Sequence, residues 1–87
     1  MKPDDAPIES LRNLGPKSGM WLREAGITTV GELRRLGAVV AYQAVRQQRE
    51  HVSLNMLWAL AAGLEGIDWR ELTQEAKALL RSELDAQ

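Results

Sequence analysis

Apolar positions recur along this chain at helical spacing, and nowhere do they alternate as in a strand. Leu54, Leu57, Trp58, Ala61 and Leu64 fall at i, i+3, i+4, i+7 and i+10, and Met56 and Leu60 widen the stripe. This pattern predicts the most buried helix of the protein, with Ser53 as its N-cap and Gly63 and Gly66 loosening its end. Upstream, Leu11 and Leu14 mark a short first helix that stops at Gly15-Pro16. Pro16 suits the first turn of a second helix, because its missing N–H would be unpaired there anyway. That helix runs to about Ala25, with Met20, Trp21, Leu22 and Ala25 on its apolar side. Gly26 sits where a left-handed cap is needed, so Ile27 is expected to fold back on Leu22 as in a Schellman stop. Thr29 to Glu32 reads as a capping box opening a third helix, with Val30, Leu33 and Leu36 inward and Gly37 at its end. A fourth covers about 38–48, with Val40, Ala41, Ala44 and Val45 inward. Asp68 to Glu71 reads as a second capping box opening a single turn. Thr73 then caps the last helix, which turns Ala76, Leu79, Leu80 and Leu84 inward. The expected fold is all-α, a compact bundle of five to six short helices.

A length of 87 residues allows one domain, read as residues 8–87 behind a flexible tail at 1–7. The hydrophobic share of 45% and charged share of 26% are those of a globular protein rather than a disordered one. No apolar run approaches the roughly 20 residues that span a bilayer. The N-terminus carries acid and no apolar stretch, so it is not expected to be a secretory signal. The chain has no cysteine, hence no disulfide frame, no thiolate nucleophile and no Cys-based metal site. Its one histidine, His51, stands between Glu50 and Val52 without clustered acids and makes neither a metal site nor a general base. An enzyme fails on this inventory, and neither a cofactor nor a small-molecule substrate is expected. The cytoplasm is the expected compartment.

The net charge of −1 hides an asymmetry: residues 8–37 balance to +2 and residues 64–87 to −3. A mildly basic first half suits phosphate, though it is far from the basic stripe of a dedicated nucleic-acid binder. Within it, residues 11–33 resemble a helix-hairpin-helix motif: a short helix, a tight Gly15-containing hairpin and a second helix. The stretch Ala25 to Leu33 also looks like the corresponding part of the C-terminal domain of the RNA polymerase alpha chain. Such a hairpin presents backbone N–H groups at a helix N-terminus and holds a phosphate without reading bases. Here Gly15, Lys17 and Ser18 supply the donors, Lys17 and Arg12 add charge, and Arg34 and Arg35 lie on the polar face of the next helix. Lys17 stands where the usual hairpin has its second glycine.

A broader resemblance runs over about residues 8–84. Leu14-Gly15-Pro16-Lys17-Ser18, Leu36-Gly37-Ala38-Val39 with Ala41-Tyr42, Ser53 to Leu60, and Trp69-Arg70-Glu71-Leu72 are similar to the C-terminal domain family of TfoX (Sxy), the bacterial competence regulator. The resemblance implies a positive regulator of competence genes working with transcription machinery. In that family the module usually follows an N-terminal α/β domain, which this chain is expected to lack.

Two functional classes follow. One is a regulatory module that grips duplex DNA backbone through residues 14–18, without sequence readout. The other is a helical adaptor, with no direct DNA contact, that binds a transcription-related protein, or itself, through helices near 38–48 or 73–84. Trp21, Trp58 and Trp69 are potential stacking surfaces, but core packing is the simpler reading for Trp21 and Trp58, and Trp69 is expected to lid the core. Tyr42 is expected half-buried with its hydroxyl in water. Asn55, inside the most buried helix, is expected to bond a loop backbone.

Overall fold

The structure is a computed structural model that describes residues 5–86. Among them, five α-helices carry the fold: α1 (Pro16–Glu24), α2 (Val30–Leu36), α3 (Ala38–Gln48), α4 (Leu54–Glu65) and α5 (Gln74–Asp85). Two single 3-10 turns, Ile8–Ser10 and Trp69–Glu71, accompany them. Among the described residues there is no strand, only one antiparallel bridge between Pro7 and Thr29. The all-α expectation holds.

Local chemistry explains most boundaries. α1 ends in a full Schellman motif: Ile27 N–H donates to Leu22 O at 2.8 Å, Gly26 N–H to Arg23 O at 3.0 Å, and Gly26 has φ +88°. Thr29 Oγ1 accepts from Glu32 N–H at 3.2 Å, while the Glu32 carboxylate accepts from the Thr28 and Thr29 hydroxyls. Thr73 caps Ala76 N–H at 3.1 Å, and Asp68 caps Arg70 N–H at 2.9 Å.

α3 is the hub and packs against α1, α2, α4 and α5. Its buried side is Ala38, Val39, Ala41, Tyr42 and Val45, so the inward face is rotated from the one expected, and Val40 is 39% exposed. Residues 38–42 are apolar without a break, so local periodicity cannot set the phase there. Tyr42 is buried rather than half-buried, and its hydroxyl donates to Val52 O at 2.8 Å instead of to water. α4 buries Met56, Leu57, Trp58 and Leu60 of its expected stripe together with Ala62 and Gly63, while Leu54, Ala61 and Leu64 are half-buried. The Ser53 side chain makes no cap bond, and Asn55 is exposed with no backbone partner among the described residues. Leu36 and Met20, read as inward, are substantially exposed, and so is Leu79 of α5.

The two glycines of α4 tighten its end rather than loosen it. Gly66, at φ +75°, lets Ile67 N–H return to Ala62 O at 3.0 Å, a second Schellman-type stop. Gly63 is needed for close approach: a Cβ there would stand 2.6 Å from the Arg12 carbonyl oxygen.

The N-terminal segment departs furthest from expectation. The helix marked by Leu11 and Leu14 is absent; the chain makes the 3-10 turn Ile8–Ser10 and then bends. Asn13 stops any helix there with φ +76°. Its amide donates to Ile67 O at 2.9 Å, and its Oδ1 accepts from Trp69 N–H at 3.1 Å. Of the tail read at 1–7, residues 1–4 lie outside the described residues. Ala6 accepts a backbone bond from Val30, and Ile8, fully buried, donates to Thr28 O.

Candidate nucleic-acid interface

α1 begins without a side-chain cap. Gly15 is its N-cap in extended backbone (φ −101°), where no glycine is required and a Cβ would meet nothing within 4 Å. Pro16 occupies the first turn and no acid does. The turn therefore presents the Lys17 and Ser18 amides next to the positive end of the helix. Lys17 is exposed, and its Nζ lies 5.1 Å from the Trp21 ring centroid. Arg49 reaches the same ring at 5.2 Å and pairs with Glu24 through bonds of 3.0 and 2.7 Å. Glu24 is held below the usual carboxylate range chiefly by that hydrogen-bonded guanidinium.

The six residues read from sequence do not form one cluster. Gly15, Lys17 and Ser18 do share the first turn of α1. Arg12 and Arg34 instead converge on the opposite kind of helix end. Arg12 Nη1 donates to Gly66 O at 3.3 Å and Arg34 Nη1 to Leu64 O at 3.5 Å. α4 has no basic residue in its own last turn, so these two arginines supply the positive charge its carbonyl end favours. Arg35 lies exposed in the last turn of α2; the Glu32 pKa is lowered first by the Thr28 hydroxyl bond and, least, by the Arg35 charge.

The hairpin also lacks its first helix, so the geometry is a loop running into α1. Behind it, Arg23 forms a two-pronged pair with Glu9 at 2.6 and 2.7 Å. That bond, with a backbone bond adding to it, lowers the Glu9 pKa to about 2. Glu9 lies against Gly19, where a Cβ would meet its Cγ at 2.6 Å. Asp68 is likewise lowered to about 2, first by the Arg70 side chain and then by the Arg70 amide. Sequence reasoning missed Arg49 and Asn13, because their partners lie 25 and 54–56 residues away. The left-handed backbone of Asn13 is compatible with asparagine, but nothing local demanded it.

Among the described residues no group of His, Asp and Glu is placed to hold a metal ion. No helix among them is long and apolar enough to cross a membrane.

Comparison with known proteins adds the family. Two crystal structures from Listeria monocytogenes share the fold. One, an uncharacterized protein in a triclinic form, is 28% identical, covers 93% of this chain and 92% of its own, and superposes with a TM-score of 0.84. The other, a protein of unknown function in a tetragonal form, is 28% identical, with coverage of 91% and 98% and a TM-score of 0.83. None of the curated proteins matches. The sequence profile of the TfoX C-terminal domain matches residues 4–84, nearly the whole chain, and the protein belongs to that family.

Proposed function

We propose that this domain is a non-enzymatic regulatory module of the bacterial cytoplasm that contacts nucleic-acid backbone through the first turn of α1. Competence regulation is the role its family suggests. The observation carrying the reading is the uncapped start of α1, with Lys17 beside it and no acid in that turn. An anion there meets backbone N–H donors and the positive end of the helix dipole. With Arg12 and Arg34 engaged at the end of α4, the contact is small, one or two phosphates, and carries no base readout. The affinity is therefore modest and strongly salt-dependent.

Gly15→Asp tests this directly. The extended backbone of Gly15 accepts aspartate, whose carboxylate caps the free amides. The variant should be as stable as the parent or more so, while its DNA binding falls. Unchanged binding would remove the α1 start from the interface.

A second reading, a helical adaptor for a transcription-related protein, is favoured by the exposed apolar residues of the other helices. Leu79 is 67% exposed on α5 and Val40 39% exposed on α3. A parent protein that binds no DNA but captures a protein partner, with a Leu79→Asp variant that loses that partner, would decide for it.

A further inference from the structure

Between the first turns of α1 and α4 lies a pocket of about 280 Å³. Its walls include Asn13, Ser18, Trp21, Ser53, Asn55 and Trp69, and no wall residue is acidic or basic. Its polar groups are mostly unengaged. Ser53 caps nothing. Ser18 and Asn55 make no side-chain hydrogen bond among the described residues. Trp21 carries Lys17 and Arg49 against its ring, whereas Trp69 is 40% exposed and has no described cation over it. Asn13 fixes the Trp69 backbone beside the pocket through the 3.1 Å bond to its N–H. The pocket thus joins an aromatic face, two hydroxyls and a carboxamide.

We infer that this pocket accepts a single unpaired nucleobase. The base stacks on Trp69, and its polar edge meets Ser18, Ser53 and Asn55. A volume just below that of drug-sized sites suits one flat heterocycle rather than a whole small molecule. Neutral polar walls suit a base edge, and Lys17 beside Trp21 puts a cation on the strand that would carry the base. The inference rests on the backbone contact proposed above and names its substrate: a single strand or frayed end, bound in preference to intact duplex. Unstacked bases held on aromatic rings are the usual means by which proteins select unpaired strands.

The test compares three labelled oligonucleotides of equal length by fluorescence anisotropy at low salt: a mixed-sequence single strand, its duplex, and an abasic strand of the same charge. The single strand is expected to bind at least about fivefold more tightly than the abasic strand. Trp69→Ala and, separately, Asn55→Ala should reduce that ratio towards one. The Asn55 side chain is exposed and unbonded, so its removal leaves the fold intact. Lys17→Glu should weaken single and abasic strands alike. Equal binding of single and abasic strands overturns the pocket assignment while leaving the backbone contact standing. Absence of binding to all three overturns both.

Discussion

Gly63→Ala is the sharpest probe of how the N-terminal segment is held. In an ordinary helix interior the substitution gains about 1 kcal/mol. Here the new Cβ would stand 2.6 Å from the Arg12 carbonyl oxygen and 3.0 Å from Leu11 Cγ and Cδ2. The first neighbour is backbone and cannot rotate away, so residues 11–13 must move. Overpacking of this kind costs about 1–3 kcal/mol. Moving the segment also strains the Arg12 bond to Gly66 and the two Asn13 bonds to Ile67 and Trp69, each contributing about 1 kcal/mol. The net loss is about 1–3 kcal/mol, against a total stability of roughly 4–13 kcal/mol for a chain of this length. For a domain of this size it lowers Tm by roughly 5–20 °C, measured by circular dichroism at 222 nm. Tryptophan fluorescence should shift as Trp69 loses the Asn13 anchor. A variant as stable as the parent, with unchanged fluorescence, would refute the close approach of Arg12 to α4.

Other expectations follow from single contacts. Leu57→Ala removes a fully buried side chain and should cost about 2–5 kcal/mol in urea denaturation. Tyr42→Phe strands the Val52 carbonyl without its donor and should cost about 1 kcal/mol by the same assay; no loss would mean that water replaces the bond. Glu9, Glu24 and Asp68 all have folded pKa values lowered by their arginine partners, so their stabilisation is present above the unfolded carboxylate pKa. It is lost as pH falls from about 4 towards about 2, and Glu9→Gln should flatten part of that fall in an acid titration followed by circular dichroism.

Three capping and stop signals were legible in the sequence because their partners are local, whereas the expected Ser53 cap makes no bond. Gly26 with Ile27, Thr29 with Glu32, and Thr73 with Ala76 each follow from local residue types. The burial of α4 was legible because its apolar run from Met56 to Ala62 marks a central helix, although Leu54, Ala61 and Leu64 of the expected stripe are only half-buried. The phase of α3 was not, because Ala38 to Tyr42 are apolar on every side and only packing against the surrounding helices selects Tyr42 for the interior. The first helix failed for a different reason. Leu11 and Leu14 have helical spacing, but Asn13 between them turns left-handed to reach Ile67 and Trp69 across the fold. The candidate site was legible only at Gly15, Lys17 and Ser18. Arg12 and Arg34 carry the charge expected of a phosphate contact, yet the bare carbonyl end of α4 draws both of them, a demand visible only once the helices are packed. Trp69 and Asn55 gain interest for the same reason: the fold brings the starts of α1 and α4 together around them.

The most direct test of the proposed function is a salt series of nucleic-acid binding by the parent protein and Lys17→Glu. The reading predicts micromolar binding of labelled strands at low salt, falling steeply towards physiological salt, with the Lys17→Glu slope lower by about one. Parent protein that binds no strand even at low salt would contradict it, and the function would then pass to the apolar surfaces around Val40 and Leu79.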